Sequence, residues 1–207
     1  MKKIQGIFLV LLLALSACPA PAYSQDCVKK YDRKLYPHWQ AASNSKFRDI
    51  RQETIAKAVI SGLKVERGRV VAGLWYDPFT GKNYQIEDVN PDVDHLASLG
   101  WIHERGGDCM TPYERRRIAN DPDNLWAVHP SANRKKGKDV TGFLPPNLGI
   151  CTDYLKQIKL VVKKHRLKLK PFDVKSYNVA VVQCKKWRNG IKLKKAKTWF
   201  ESLFGYK

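Results

Sequence analysis

Hydrophobic residues recur at helical spacing near the start of the chain, and the pattern becomes that of short strands farther along. Ile50 and Ile55 belong to a helical series that predicts a helical N-terminal segment from Tyr31 to Leu63. Asn44 or Ser45 would cap its second half. The pattern therefore predicts helix first and sheet afterwards.

Two short runs with the composition of strands flank a predicted turn. Val70 to Trp75 and Tyr84 to Glu87 are the strand-like runs, and Asp77 to Lys82 between them contains the Pro, Thr and Gly of a turn. We expect a β-hairpin here. Asp92 to Leu96 follows as another short extended segment.

Helix signals return in the second half of the chain. Thr111, Pro112 and Glu114 occupy the cap, first and third positions of a predicted helix, which is the arrangement of a capping box. Leu125 to Val128 predicts a short strand, and Pro130 the start of a further helix. Because helices and strands are mixed along the chain, the predicted fold class is α+β.

The C-terminal part combines helical pattern with strong positive charge. Residues 154–167 predict an amphipathic helix, whereas residues 176–187 suit either a helix or a strand. Residues 151–207 carry a net charge of +13, against +4 for residues 25–150 and +19 for the whole chain. Such an excess indicates a polyanionic partner, either nucleic acid or an anionic membrane surface.

The first residues have the composition of a bacterial secretory signal peptide. Lys2 and Lys3 precede an apolar run from Ile7 to Leu15, which is shorter than the about 20 residues of a membrane span. We expect residues 1–24 to be removed and the mature chain to be secreted or periplasmic. Cys18 also ends a sequence similar to a lipobox, so a lipoprotein anchored through Cys18 is the alternative.

Beyond the predicted signal peptide, four cysteines remain. An even number in an oxidising compartment predicts two disulfides, and the sequence leaves all three pairings open. No two of these cysteines have the CxxC spacing that is typical of zinc sites. The candidates are Cys27, Cys109, Cys151 and Cys184.

A candidate site combines an Asp-His pair with two asparagines. Asp94 and His95 end an extended segment, Asn124 opens the next predicted strand, and Asn133 lies on the predicted helix that follows. A carboxylate and an amide oxygen suit Mg²⁺, and an imidazole can accept a proton near neutral pH. Nearby Asp92 is interpreted as a surface charge at the strand edge.

In the order of these residues the sequence resembles the HNH endonucleases, and more closely the secreted bacterial branch related to the GmrSD C-terminal domain. The resemblance spans roughly residues 31–169, and the chain after about Phe172 is not covered. Leu96-Ala97 departs from it, because many members have an apolar residue and Pro after the Asp-His pair. The matching stretches are Asp77 to Lys82, Val93 to Leu96, Ala119 to Leu125, Ser131 to Gly137 and Phe143 to Pro146.

The resemblance implies a ββα-metal core and a role for each residue of the candidate site. His95 would be the general base, and Asp94 and Asn133 would ligate one divalent metal ion. Asn124 would be the catalytic-site residue that orients His95 by holding the loop. The metal would be Mg²⁺, with Mn²⁺ or another divalent ion as the alternative, and His129 is the one further histidine to consider as a ligand.

Four basic residues are candidates for nucleic-acid binding. Arg51 resembles part of an Asp-x-Arg element of the secreted branch and could bind a phosphate through its planar fork. An ion pair with Asp49 or Glu53 is an equally good interpretation. The other three flank the predicted metal-binding residue, where a solvated helix face is the alternative: Arg134, Lys135 and Lys136.

Together these features predict a secreted HNH-type endonuclease that hydrolyses DNA, with RNA as the alternative substrate, at low sequence specificity. The predicted organisation is a signal peptide over residues 1–24, an endonuclease domain over 25–170 and a basic aromatic extension over 171–207. The fold class is therefore α+β, with a ββα-metal core, an N-terminal helical segment, a β-hairpin and this extension. The competing hypothesis is a non-catalytic basic protein or lipoprotein that binds nucleic acid or the cell envelope.

Overall fold

The computed structural model of the chain describes residues 27–28 and 30–204, with side chains as far as residue 190. The predicted signal peptide and Cys18 lie outside the described residues. Within them the chain has the mixed α+β structure that the sequence predicts. The helices are α1 (Ile50–Ala58), α2 (Leu99–His103), α3 (Pro112–Ala119), α4 (Pro130–Lys136), α5 (Cys151–Lys164) and α6 (Pro171–Phe204). The strands are β1 (Val59–Glu66), β2 (Arg69–Asp77), β3 (Lys82–Gln85), β4 (Asp92–His95) and β5 (Leu125–Val128).

The N-terminal segment is much less helical than its periodicity predicts. Helix α1 begins only at Ile50, and Asp49 caps it by accepting a backbone N–H from the first turn, so the predicted cap at Asn44 or Ser45 is wrong. Leu63, which the prediction placed in the helix, lies on strand β1. Pairing of β1 with β2 gives its backbone groups sheet partners, and this tertiary contact outweighs the local helical pattern.

The predicted hairpin is confirmed and belongs to a three-stranded antiparallel sheet in the order β1-β2-β3. Its turn is held by the Asp77 carboxylate, which accepts the backbone N–H groups of Phe79 and Thr80 at 3.1 Å and 3.0 Å. Gly81 adopts a φ of 71° in this turn, a conformation in which glycine is favoured. The turn chemistry that was visible in the sequence therefore fixes this part of the fold.

Strands β4 and β5 form a separate two-stranded antiparallel ribbon, and α4 follows β5 directly. Asp94 lies opposite Trp126 in this ribbon, and His95 lies opposite Leu125. Helix α1 packs against β5, while α4 contacts β4. The ribbon thus lies between two helices, and its side chains alternate between their two sides.

The ribbon also separates two hydrophobic cores. Ile55, Trp75 and Leu125 belong to the smaller core, which lies between α1 and the three-stranded sheet. The larger core is built on α2, α3, α5 and α6, and contains Ile102 and Ile158. Burying each such side chain contributes about 1.5–3 kcal/mol, so both sides of the ribbon are firmly packed.

Two disulfides form among the four cysteines, as predicted, and the structure selects the pairing. Cys27 pairs with Cys109, and Cys151 pairs with Cys184. The second bridge joins the first residue of α5 to α6. Residues 176–187, for which the sequence allowed helix or strand, lie within helix α6. No helix among the described residues is long and apolar enough to cross a membrane.

Candidate active site

The buried amide of Asn124 holds the chain that follows His95. Its side chain is completely buried; Nδ2 donates to the carbonyl of Ala97 at 3.1 Å, and Oδ1 accepts the N–H of the same residue at 2.8 Å. The backbone carbonyl of Asn124 also accepts the N–H of Leu96 at 2.9 Å. A single side chain therefore satisfies both backbone groups of a loop residue and fixes the path of the chain beside His95.

The imidazole of His95 is anchored and neutral. Its Nε2 lies 2.8 Å from the carbonyl oxygen of Ala119, and because a carbonyl only accepts, Nε2 carries the proton. Nδ1 is then the unprotonated nitrogen. Burial lowers the pKa of His95 to about 3, although the hydrogen bond to Ala119 raises it in part. At neutral pH the ring is thus an uncharged proton acceptor.

An aromatic residue from the N-terminal segment covers His95, which is only 5% exposed. The Trp39 ring stacks on the imidazole with their centroids 5.6 Å apart and an interplanar angle of 29°. Trp39 has a φ of 61°, which is rare for a bulky residue. Asn120 holds this segment by accepting the N–H of Gln40 and donating to the carbonyl of Pro37. The cover is therefore fixed by tertiary contacts on both sides of Trp39.

Asp94 is buried and paired with Lys136. Lys136 Nζ lies 3.0 Å from the Asp94 carboxylate and also donates to the backbone carbonyl of His95 at 3.1 Å. Burial raises the pKa of Asp94 to about 6, while the adjacent ammonium opposes that rise. The Lys136 side chain is fully buried, so its predicted contact with the substrate backbone is wrong. Its ammonium instead forms an ion pair with the Asp94 carboxylate inside the protein.

Asn133 contacts Asp92 rather than Asp94. Its Nδ2 donates to Asp92 Oδ2 at 3.0 Å, so the carboxylate that was interpreted as a surface charge has a partner on α4. Asp92, Asp94, Asn133 and Lys136 therefore share the face of the ribbon that α4 covers. Strand alternation sends the His95 side chain to the other face. The structure thus gathers the two predicted metal ligands on one face and the predicted base at the end of the other.

The oxygen atoms on the α4 face suit a hard divalent cation. Asp94 Oδ2 is buried and accepts no hydrogen bond of suitable geometry, although Lys136 Nζ is near. The hydrogen bond from Asn133 to Asp92 uses the amide nitrogen and leaves the amide oxygen for a ligand. A carboxylate and an amide oxygen are the donors that Mg²⁺ accepts. The two donor types therefore match the predicted ion, while the Lys136 ammonium already lies 3.0 Å from the same carboxylate.

Two other candidates for metal binding are explained by their contacts. His129 caps α4, because its Nδ1 accepts the backbone N–H of Ser131 at 3.1 Å. Within the described residues, one group of three Cys, His, Asp or Glu side chains has ligand atoms close enough for a metal, namely Cys27, Asp108 and Cys109. Its two sulfur atoms are joined in a disulfide, which removes them as thiolate ligands.

The remaining predicted nucleic-acid-binding residues stay accessible to a ligand. Arg51 makes neither of the ion pairs considered for it, because Asp49 pairs with Arg48 and Glu53 pairs with Lys57. Its Nη2 instead donates to the carbonyl of Pro91 at 3.2 Å, one residue before β4. Two further residues lie exposed on α4: Arg134 and Lys135.

Comparison with known proteins adds no relative to this description. No protein-family model, curated protein or solved structure matches the chain. The function is therefore argued from the residues and contacts of the ribbon and its surroundings.

Proposed function

We propose that the protein is a metal-dependent phosphodiester hydrolase of the HNH type, which acts on DNA with RNA as the alternative substrate. The observation that carries the proposal is the double anchoring of His95. Its ring is held through Nε2 by Ala119, and the loop after it is held by the buried amide of Asn124. A fixed, uncharged imidazole with an unprotonated Nδ1 can accept a proton, and it becomes an efficient general base once substrate binding raises its pKa toward the operating pH.

The arrangement of the elements supports the same proposal. Strand β4, the short turn before strand β5, and helix α4 carry the four residues of the predicted site in the order that the resemblance implies. Asp94 and His95 end the first strand, Asn124 precedes the second, and Asn133 lies on the helix. Each of the four also has a specific hydrogen-bonding partner, so none of them is an incidental surface residue.

In the proposed reaction, Nδ1 of His95 removes a proton from the water that attacks phosphorus. The hydrogen bond from Nε2 to Ala119 keeps the ring in the required tautomer while the proton is transferred. Burial disfavours the imidazolium in the free protein. A bound phosphate is negatively charged, and its proximity favours the imidazolium as the proton arrives. Binding of the substrate phosphate would thus raise the pKa of His95.

Asp94 and Asn133 are the residues that would hold the divalent cation, through Oδ2 of the carboxylate and Oδ1 of the amide. When bound, such an ion supplies Lewis-acid stabilisation of the charge that develops on phosphate oxygens. Lys136 positions Asp94, and its bond to the carbonyl of His95 ties the ligand and the base to one ammonium group.

Charge and disulfides support the proposed partner and compartment. The chain is strongly basic, and exposed Arg134 and Lys135 lie on α4 beside the candidate ligands. Such residues neutralise phosphates without reading sequence, which fits low specificity. Two disulfides fit an oxidising compartment. We therefore propose a secreted or periplasmic protein, with anchoring through Cys18 as the alternative form.

A second candidate function is non-catalytic binding of nucleic acid. Two contacts favour it: the Lys136 ammonium already compensates Asp94, and Trp39 covers His95. In a binding protein both contacts would simply complete the core, and the basic residues would hold the polyanion. The two hypotheses differ in whether a scissile bond is broken when a divalent cation is supplied.

The deciding experiment measures nicking of a supercoiled plasmid by the full-length protein with Mg²⁺, with Mn²⁺ and with EDTA. We expect nicking that requires the metal and falls by about 10²–10⁴-fold in His95→Ala, because a general base contributes that much. The matched control is His165→Gln, which alters a histidine bonded to Asp121 away from the ribbon and should keep full activity.

Affinity for a fluorescent oligonucleotide in EDTA completes the comparison. The catalytic hypothesis requires His95→Ala to bind as tightly as the wild type while it fails to cut. A wild type that binds the oligonucleotide but leaves the plasmid intact with every metal ion would establish the binding protein. Equal nicking by the wild type and His95→Ala would show that His95 is not the base.

A further inference from the structure

A cavity with three arginines lies beside the ribbon, on the side of the sheet where α1 begins. Its volume is about 350 Å³, which is ample for a phosphate group and several waters. Arg51 lies in the first turn of α1, Arg48 lies just before the helix cap, and Arg69 is the first residue of β2. Asn90, in the loop before β4, adds an amide to its lining.

The two walls of the cavity are joined by specific hydrogen bonds. Arg48 donates its backbone N–H to the carbonyl of Gly68 at 2.9 Å, and Val70 donates its own to Gln52 Oε1 at 2.9 Å. These bonds fix the beginning of α1 against the beginning of β2. The backbone positions from which the arginine side chains extend are therefore fixed relative to one another.

The positive charge in the cavity is only partly compensated. Arg48 pairs with Asp49 through Nε at 3.1 Å. Arg51 and Arg69 form no ion pair with any residue that the structure describes, and the single hydrogen bond of Arg51 goes to a neutral carbonyl. Because a guanidinium offers five N–H donors, most of the donors in this cavity are available to an anion.

The position of the cavity ties it to the candidate active site. Arg51 Nη2 lies 3.2 Å from the carbonyl of Pro91. The next residue is Asp92, about 3.8 Å farther along the chain, and its carboxylate contacts Asn133. The cavity therefore borders the start of β4, the strand that ends in Asp94 and His95. A nucleic-acid strand held at the end of β4 has its neighbouring phosphates on the side where the arginines lie.

We infer that this cavity is a phosphate subsite that binds a non-scissile phosphate of the nucleic-acid strand held at the ribbon. The inference rests on the proposed function for its ligand. A planar guanidinium can form two parallel hydrogen bonds to phosphate oxygens, and a contact to phosphate positions the strand without selecting a sequence.

The test is salt-dependent binding of a fluorescent single-stranded DNA oligonucleotide to the full-length protein in EDTA, where no metal-dependent cleavage occurs. We expect Arg69→Ala and Arg51→Ala/Arg69→Ala to bind roughly tenfold more weakly at low salt. The slope of log affinity against log salt should fall by about one, because one phosphate contact is lost. Lys82→Ala is the matched control, since it removes one exposed positive charge from the same sheet outside the cavity.

An equal loss of affinity and slope in Lys82→Ala and Arg69→Ala would overturn the inference, because the effect would then be one of general charge. A second measurement uses inorganic phosphate at constant ionic strength. We expect phosphate to raise the Tm of the wild type and of Lys82→Ala, but not of the double variant. Phosphate stabilisation without any change in the oligonucleotide slope would identify a site for free phosphate and would contradict a strand subsite.

Failure of the proposed function is distinguishable from failure of this inference. Both measurements are made without a divalent cation and require no catalysis. A wild type that never nicks DNA, but whose binding responds to Arg69→Ala as described, would retain the subsite and lose the catalytic proposal. Metal-dependent nicking by the wild type, together with an unaltered salt slope in Arg69→Ala, would retain the catalytic proposal and rule out the subsite.

Discussion

The two faces of the β4–β5 ribbon treat neighbouring ionisable residues in opposite ways. On the α4 face the carboxylate of Asp94 is buried with a matching ammonium from Lys136. On the other face no described carboxylate pairs with His95, and burial beneath Trp39 keeps the ring neutral. One face therefore contains a compensated pair of charges, while the other excludes charge. Adjacent residues on one strand can thus provide an anionic ligand and an uncharged base.

We expect the largest loss of stability on the α4 face, where the charges of Asp94 and Lys136 are paired. Lys136→Ala leaves the Asp94 carboxylate buried and unpaired, and should lower the free energy of unfolding by about 3–5 kcal/mol. The double variant Asp94→Asn/Lys136→Met removes both charges and should lose much less. Urea denaturation of the two variants measures the difference, with Lys135→Ala as the exposed control on the same helix. Equal losses in the single and double variants would show that the charge pairing is not the cause.

Replacing Trp39 tests whether its ring excludes water from His95 on the other face. Trp39→Gly opens the ring of His95 to water, so its pKa should rise from about 3 toward the ordinary histidine value of about 6.5. Glycine also accepts the φ of 61° at this position without steric cost. An NMR titration of the imidazole protons reports the pKa directly. An unchanged pKa would mean that the β-ribbon and α3, rather than Trp39, exclude water.

A smaller loss of stability is expected at Asp121, a carboxylate outside the ribbon. Its pKa shifts in the opposite direction to that of Asp94, so the two residues can be compared. Burial alone would raise the pKa of Asp121, but hydrogen bonds from His165 and Lys164 outweigh it and lower the pKa to about 2. A lowered folded-state pKa stabilises the protein above about pH 4, and this contribution is lost as the pH falls to about 2. Asp121→Asn should cost about 1 kcal/mol at neutral pH.

Urea denaturation at several pH values checks that prediction. The difference in unfolding free energy between the wild type and Asp121→Asn should shrink as the pH falls from about 4 to about 2. A difference that stays constant over this range would show that the contacts of Asp121 stabilise the protein without the charge. Asp94, whose pKa is raised, should give no such acid-dependent loss in this window.

Local signals in the sequence predicted much of the secondary structure. The capping box of Thr111 and Glu114 forms as expected, because both bonds join residues three positions apart. The turn beginning at Asp77 and the strand β5 were also recognisable, since turn residues and apolar runs act over short distances. The order of Asp94, His95, Asn124 and Asn133 on strand and helix followed from these elements.

Contacts between distant parts of the chain were not predictable in the same way. Lys136 meets Asp94 across 42 positions, and a lysine among other basic residues ordinarily indicates a solvated face. Trp39 reaches His95 through a left-handed backbone conformation that the pattern does not reveal. Strand β1 was missed because its partner β2, not its own periodicity, makes it a strand. The anion cavity likewise depends on arginines from two elements.

The contacts that hold the chain around Trp39 have a consequence for the order in which a newly made chain can fold. Gln40 is bonded to Asn120, 80 positions later, and Cys27 is joined to Cys109, 82 positions later. The segment that emerges early can therefore take its place only after strand β4 and helices α2 and α3 have been synthesised. The residues that cover His95 thus depend for their position on residues about 80 positions later in the chain.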